Sequence, residues 1–195
     1  MQTEFEPPTE NAALKSAIID RILREDGITF RDFMQMALYE PGLGYYCTPR
    51  ETMGRSGDYL TSPEVSPLFG AMLGRQLREM WDLLGAPSRF DMVEVGAGNG
   101  TLCRDVLSWA KRAAPEMLEA ARYVIVEQIS ALEAKQRARV ESDELPSRVQ
   151  WLAELPGGVE GCIVSNELLD SMPVHRVAVS GGDLREIHVN SDGAR

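Results

Sequence analysis

A glycine-rich run at residues 93–101, with the sequence VEVGAGNGT, lies where a strongly apolar segment meets an amphipathic one. Glycines let a turn be tight and let a ligand approach the backbone closely, and the helix that follows offers unpaired N–H groups to an anion. The glycines occupy positions 1, 3 and 5 of the turn, as Gly96, Gly98 and Gly100. Dinucleotide-binding turns have their third glycine at position 6, which is Thr101 in this chain. The spacing therefore argues against a nicotinamide cofactor.

Two acidic residues accompany this turn. Glu127 ends the next predicted strand, where a carboxylate would reach the crevice at the strand tips and accept hydrogen bonds from two adjacent ribose hydroxyls. The order of strand, E-x-G-x-G-x-G turn, helix, strand and terminal acid predicts a site for S-adenosylmethionine (SAM). Glu94 is expected to brace the loop or the methionine moiety, and the alternative is a half-buried acid satisfied by loop amides.

A second group of polar residues follows the last predicted strand, in the run SNELLDSMP at residues 165–173. Residues just past the carboxyl end of a strand face the ligand crevice of an open α/β sheet. Glu167 and Asp170 are three positions apart, so a helical turn would place them on one face. The alternative is that they serve as the N-terminal charge and cap of a helix.

The surrounding sequence predicts the elements that must position these residues. Apolar runs alternate with amphipathic ones, which predicts a parallel α/β sheet covered on both faces. Residues 174–188 surround the turn sequence SGGD and predict a hairpin. The predicted strands of the sheet are residues 90–95, 123–127, 149–152 and 162–165, with helices through residues 102–110 and 131–140.

Helices are predicted ahead of the sheet. An amphipathic helix ends at Gly27, and Thr29 with Asp32 resembles a capping box that begins a second, short helix. Ser66 followed by Pro67 predicts the start of a longer helix.

Residues 42–64, between the second and third of these helices, are rich in glycine, proline and tyrosine. We expect a lid in which Tyr45, Tyr46 and Tyr59 provide apolar cover and hydroxyls, and the alternative is a packed surface loop. The chain ends with no helix to cover its last strands, so we expect a C-terminally truncated sheet. The predicted domains are residues 1–65, with the N-terminal helices and the lid, and residues 66–195, an incomplete Rossmann-like SAM-binding domain.

Composition excludes several classes of function. The chain has 195 residues with 30 acidic and 20 basic side chains, a net charge of −10 that disfavours a nucleic-acid partner. No apolar run approaches the length of a membrane span, and the acidic opening MQTEFEPPTE is unlike a targeting peptide, so we expect a cytoplasmic protein. Cys47, Cys103 and Cys162 have spacings that predict neither a disulfide framework nor a metal site.

Four blocks of the sequence resemble the MidA-like SAM-dependent methyltransferases. The blocks are GDYLTSPE at residues 57–64, VEVGAGNG at 93–100, YVIVE at 123–127 and SNELLDSMPVHR at 165–176. The resemblance extends from Ile28 to Val189. It implies a seven-stranded class I (Rossmann-like) methyltransferase fold with an N-terminal extension, from which this shorter chain departs at its C-terminal end. The family includes a mitochondrial assembly factor that methylates an arginine on a subunit of respiratory complex I, so a protein substrate of that kind is implied.

The resemblance also implies roles for individual residues. Catalytic roles are expected for Glu64, Glu167 and Asp170, which would hold an arginine guanidinium and offset its charge. Replacing Glu167 by Gln should then reduce turnover far more than SAM affinity. The residues expected to contact the cofactor are Asp58, Glu94, Gly96, Gly98, Asn99, Gly100, Glu127 and Asn166.

Other functions remain open at this stage. A non-catalytic assembly or binding factor could retain the SAM-type fold, and a small-molecule or lipid methyltransferase would use the same crevice. A truncated sheet would leave open edges and apolar faces, which favours a homodimer.

Overall fold

The computed structural model describes residues 10–50, 52–54, 57–141 and 148–192. The chain forms two compact units: the sheet unit, Pro49–Asp170, and the terminal unit, Met1–Thr48 together with Ser171–Arg195. The sequence predicts a single boundary near residue 65, which differs from both of these boundaries. The pairing of His188–Val189 with Ile28–Thr29 joins two distant stretches of the chain in the terminal unit.

The described elements follow one another in this order along the chain. The α-helices are α1 (Ala12–Glu25), α2 (Phe30–Tyr39), α3 (Ser62–Val65), α4 (Pro67–Leu83), α5 (Thr101–Ala113), α6 (Pro115–Ala120) and α7 (Ser130–Glu141). The strands are β1 (Ile28–Thr29), β2 (Phe90–Val95), β3 (Ala121–Val126), β4 (Val149–Leu152), β5 (Gly161–Val164), β6 (Val177–Ser180), β7 (Asp183–Glu186) and β8 (His188–Val189). Single 3-10 turns occur at Tyr45–Cys47 and Leu169–Ser171.

The sheet unit contains a four-stranded parallel sheet with the spatial order β4-β3-β2-β5. In the register of this sheet, Phe90 pairs with Ala121 and Asp91 pairs with Gly161. All four strands therefore end at one edge, where the glycine turn, Glu127 and the segment after β5 begin. The predicted parallel α/β sheet is confirmed.

The central strands are largely buried, which explains why most of their residues are apolar. On one face of the sheet, side chains of β2 and β3 join those of α4 and α5 in the main hydrophobic core. This core includes Leu77, Trp81, Phe90, Met92, Val106, Leu107, Tyr123 and Ile125. The core fixes where α5 begins, and thereby the position of the turn that precedes it.

The terminal unit brings together both ends of the described chain. Antiparallel strands β1 and β8 pair, and β6 and β7 form the predicted hairpin. The Thr29 side chain caps α2 by accepting a hydrogen bond from the Asp32 N–H at 3.0 Å. The Tyr39 hydroxyl donates to the Ser171 carbonyl at 2.9 Å. None of the helices within the described ranges is long and apolar enough to span a membrane.

Candidate active site

The turn between β2 and α5 requires glycine for its backbone and for its neighbours. Gly96, Gly98 and Gly100 have φ angles of +69°, +57° and +83°, in the left-handed region that other residues adopt at a cost. A Cβ atom at Gly96 would lie 2.6 Å from Cδ1 of Leu168, and one at Gly98 would lie 2.9 Å from Sδ of Met53. Two apolar side chains from distant parts of the sheet unit therefore rest directly on the turn.

The third glycine lets helix α7 approach the turn. A Cβ atom at Gly100 would lie 3.1 Å from the Cα atom of Gln136, closer than nearly all real contacts of this kind. This close approach, together with the left-handed φ, favours glycine at position 5 of the turn.

Polar contacts also hold the end of the turn. Oδ1 of Asn99 accepts hydrogen bonds from the backbone N–H of Thr101 at 3.2 Å and from its hydroxyl at 2.7 Å. The guanidinium of Arg139, on α7, donates to the same hydroxyl at 2.8 Å. The predicted cofactor residue Asn99 thus uses its side-chain oxygen to shape the start of α5.

Glu127 follows directly after β3, at the predicted strand tip. Its Oε1 accepts from the backbone N–H groups of Gln128 at 3.0 Å and Ile129 at 2.9 Å, and its Oε2 accepts from Nε2 of Gln136 at 2.9 Å. A carboxylate has about four acceptor positions, so the contacts among described residues leave one on Oε2. Burial raises the pKa of Glu127, while these three hydrogen bonds oppose the rise.

The open position of Glu127 suits one ribose hydroxyl better than the predicted pair. The site has two further features. The small residues of the turn leave room for a ligand, and the thirteen-residue helix α5 presents its N-terminal end to the same place. These features fit the ribose and the charged methionine end of SAM.

Glu94 lies in the core at the end of β2, with 3% of its surface exposed. Its Oε2 accepts a hydrogen bond from the hydroxyl of Tyr123, on the adjacent strand, at 2.7 Å. Burial raises the pKa of Glu94 to about 7, even though the Tyr123 hydrogen bond lowers it. The observed partner of this acid is thus a core tyrosine rather than the loop amides considered from the sequence.

The predicted catalytic acids after β5 are exposed. Glu167 has a φ of +51° and lies in a bend, and the 3-10 turn begins only at Leu169. The helical turn that would place Glu167 and Asp170 on one face is therefore not formed. Within the described ranges, neither carboxylate makes a hydrogen bond or an ion pair. Leu168, between them, packs on Gly96 and places this segment beside the turn.

Residues 52–54 and 57–64 supply another wall. Met53 reaches Gly98, and the adjacent Gly54 faces Glu64, whose Oε2 would lie 3.5 Å from a Cβ atom there. Asp58 is exposed and forms an ion pair with Arg50. The structure thus connects Glu64 to the turn through Met53.

The remaining predicted residues lie as follows. Asn166 is half-buried just after β5. Tyr45 and Tyr46 belong to the terminal unit, where their ring centroids are 5.0 Å apart and Tyr46 also packs on Tyr39. Tyr59 belongs to the sheet unit, so the predicted lid is divided between the two units.

Contact residues that the sequence did not predict include Met53, Tyr123, Gln136, Arg139 and Leu168. The sequence contains a pattern that indicates Gln136: it is the one polar residue in the buried stripe that it forms on α7 with Leu132 and Val140. A polar side chain in such a stripe indicates a buried partner. Met53 carries no comparable signal.

Comparison with known proteins identifies the family of this chain. Residues 72–194 match a family model described as "putative S-adenosyl-L-methionine-dependent methyltransferase". The crystal structure of a Burkholderia thailandensis protein bound to S-adenosyl-homocysteine superposes with a TM-score of 0.82 and 33% identity, over 98% of this chain and 51% of that one.

Curated relatives are similar over most of this chain. The mitochondrial protein arginine methyltransferase NDUFAF7 homologue of Drosophila melanogaster is 29% identical over 98% of this chain and 51% of the relative. Human mitochondrial NDUFAF7, also named a protein arginine methyltransferase, is 27% identical over 85% of this chain and 42% of its own length. The chain therefore spans about half the length of the curated relatives it matches.

Proposed function

Because the chain belongs to the S-adenosyl-L-methionine-dependent methyltransferase family whose model it matches, we propose that it binds SAM at the glycine turn and methylates a protein arginine. The observation that carries this proposal is that the glycine turn and Glu127 lie next to each other and share a hydrogen-bond partner. Both lie at the tips of adjacent parallel strands, and Gln136 hydrogen-bonds to both. That arrangement has the shape and the acceptor needed for a ribose beside a tight turn.

The chain's own residues would hold SAM as follows. Gly96, Gly98 and Gly100 allow the ligand to approach the backbone, and Glu127 accepts a ribose hydroxyl at its open position on Oε2. The start of α5 favours the negative end of the methionine moiety. When bound, SAM supplies a methyl group on a positively charged sulfur.

The exposed acids are suited to an arginine acceptor. A guanidinium is protonated at every physiological pH, and carboxylates bind its planar fork through charge-assisted hydrogen bonds. Glu167 and Asp170 are exposed and lie beside the turn, since Leu168 contacts Gly96. We assign them to hold the guanidinium, with Glu64 as a third acid, and to take up the proton that the methylated nitrogen releases.

The arginine assignment is supported by the names of the relatives, which are protein arginine methyltransferases. A subunit of respiratory complex I is the finer proposal, and it comes from the resemblance to the MidA-like family. The homodimer and the cytoplasmic location also stay predictions.

The first test replaces Glu167 by Gln and measures both SAM binding and turnover. Turnover should fall roughly 100-fold, the effect expected when a positioned acid–base group is lost, while the Kd for SAM stays near the wild-type value. Isothermal titration gives the Kd, and transfer of label from tritiated SAM gives turnover. Glu119→Gln is the matched control, because Glu119 is exposed and lies just before β3, at the opposite edge of the sheet. Equal losses of binding and turnover would remove Glu167 from this role.

The second test identifies the acceptor. The full chain is incubated with tritiated SAM and a preparation of complex I subunits, and labelled methylarginine is sought in the protein fraction. Binding of SAM without any transfer would indicate a non-catalytic assembly factor instead. Label in lipid or in small molecules would indicate the corresponding methyltransferase, and binding of NAD in place of SAM would overturn the site itself.

A further inference from the structure

Gln136 makes three side-chain hydrogen bonds close to the glycine turn. It is fully buried on α7, with 0% of its surface exposed. Its Nε2 donates to the carbonyl of Gly98 at 3.0 Å and to Oε2 of Glu127 at 2.9 Å. Its Oε1 accepts from the indole Nε1 of Trp151 at 3.0 Å. One amide group therefore connects the turn after β2, the acid after β3 and strand β4.

These partners permit only one orientation of the amide. A carbonyl and a carboxylate are acceptors, so both must face the NH2 group, and an indole N–H is only a donor, so it must face the oxygen. The indole is itself held, because the guanidinium of Arg137 lies over the Trp151 ring, 4.1 Å from its centroid. The orientation of the Gln136 amide is thus set by all three partners, and Trp151 fixes it from strand β4.

From this network we infer that Gln136 is a positioning residue of the SAM site, and the inference rests on the proposed function. Its two N–H bonds keep the Glu127 carboxylate and the Gly98 carbonyl at a fixed distance and angle from each other. The remaining acceptor position on Oε2 of Glu127 then points in a fixed direction before the ligand arrives. A fixed acceptor loses less entropy when it binds a ribose hydroxyl, and this strengthens binding.

Gln136 also affects the charge of the acid. Its hydrogen bond lowers the pKa of Glu127 against the effect of burial, and so helps keep the carboxylate ionised. Without this donor, the buried carboxylate would lose a partner and its protonated form would be favoured. Position and charge of Glu127 therefore depend on the same hydrogen bond.

The experiment compares Gln136→Glu with wild type in the full chain. This substitution keeps the shape of the side chain but replaces the donor by a second carboxylate facing Glu127 and the Gly98 carbonyl. The Kd for SAM should rise about 10-fold or more relative to wild type at pH 8, because Glu127 loses its donor and gains a like charge. At pH 6 the ratio of the two Kd values should fall, since a proton taken up by the introduced carboxylate restores a donor. Isothermal titration at the two pH values measures this ratio.

The control is Gln150→Glu, which adds the same charge at an exposed position of β4. Its Kd ratio to wild type should stay near one at both pH values, because Gln150 is exposed outside the buried network. A residue with only a structural role would change stability without producing a pH-dependent ratio.

A second variant tests the same inference in case Gln136→Glu does not fold. Trp151→Phe keeps an aromatic ring but removes the indole N–H that orients the amide, and it should raise the Kd for SAM several-fold while the protein stays folded by circular dichroism. If wild type binds SAM and both variants bind it equally well, Gln136 has no positioning role and the proposed function still stands. If wild type itself fails to bind SAM, the proposed function fails and this inference with it.

Discussion

The glycine turn and the acidic segment after β5 both lie at the carboxyl edge of the sheet, but they are built in opposite ways. The turn and its supports are buried or half-buried and hydrogen-bonded: Glu94 to Tyr123, Glu127 to backbone N–H groups, and Gln136 to three partners. The acidic segment is exposed, to the extent that 74% of the Leu169 surface is accessible. The turn with its supporting residues, here called the rigid side, therefore differs in burial and in internal hydrogen bonding from the acidic segment after β5, here called the exposed side.

This difference suits two kinds of ligand. A ribose has fixed hydroxyls that gain from acceptors held in place, and such acceptors need a network of buried partners. A guanidinium on a protein chain is a charged group that arrives from solvent, and burying its carboxylate partners in advance would cost more free energy than the pairing returns. The rigid side is therefore assigned to the cofactor and the exposed side to the acceptor.

The largest expected effect comes from the rigid side. Gly96→Val should lower the free energy of unfolding by about 4 kcal/mol, because a left-handed backbone and a crowded side chain each cost roughly 1–3 kcal/mol. The crowding arises from Leu168, whose Cδ1 lies 2.6 Å from the Cβ position. SAM binding by the folded fraction should also become undetectable. Chemical denaturation and isothermal titration measure the two effects.

Gly85→Val is the matched control for this substitution. Gly85 also has a left-handed φ, +83°, but no heavy atom lies within 4 Å of its Cβ position. It should show the backbone cost alone and leave SAM binding unchanged. If the two variants were equally destabilised, close packing at the turn would play no part and the contrast between the two sides would weaken.

The second prediction concerns the buried acid Glu94. Its pKa of about 7 in the folded protein exceeds the ordinary 4.5, so between these pH values the folded state holds a proton that the unfolded chain has released. The free energy of unfolding should therefore decrease as pH rises from 4.5 to 7, by roughly 3 kcal/mol from this group. Glu94→Gln removes the titration and keeps an acceptor for Tyr123. The difference in free energy of unfolding, wild type minus Glu94→Gln, should therefore decrease as pH rises from 4.5 to 7.

Denaturation curves at a series of pH values between 4.5 and 7 test this dependence. Glu167→Gln serves as the comparison, because its carboxylate is exposed and its stability should follow that of wild type at every pH. Parallel pH profiles for wild type and Glu94→Gln would show that Glu94 is ionised in the folded protein. The core under the turn would then contain a buried charge at Glu94.

Local patterns were sufficient to predict most elements of the sheet unit. Strand β2 occupies the predicted residues 90–95, a mainly apolar run whose two acids, Asp91 and Glu94, are buried with polar partners. The Thr29 cap of α2 was predictable, since a threonine three residues before an aspartate satisfies a free helix N–H. The glycine turn was predictable from spacing alone.

Contacts between distant residues were not predictable in this way. The bond between Glu94 and Tyr123 depends on the parallel register of β2 and β3, in which Met92 is the residue paired with Tyr123. The pairing of β1 with β8, which changes the unit boundaries, joins two-residue strands that have no periodic pattern to reveal them. Glu167 has a left-handed backbone where its neighbour Leu168 packs on the turn. This bend was not predictable, because the run SNELLDSMP contains no glycine that would indicate it.

The smallest expected effect distinguishes the backbone strain at Glu167 from the chemical role of its carboxylate. A left-handed conformation costs a residue with a Cβ atom roughly 1 kcal/mol, so Glu167→Gly should be more stable than Glu167→Ala by about 1 kcal/mol. Both variants lack the carboxylate and should lose turnover equally, because the proposed role belongs to the side chain and not to the backbone. Thermal unfolding and tritiated SAM transfer measure the two properties. If the glycine variant were no more stable than the alanine variant, the bend at Glu167 would store no strain, and the acidic segment would hold its acids only by the packing of Leu168.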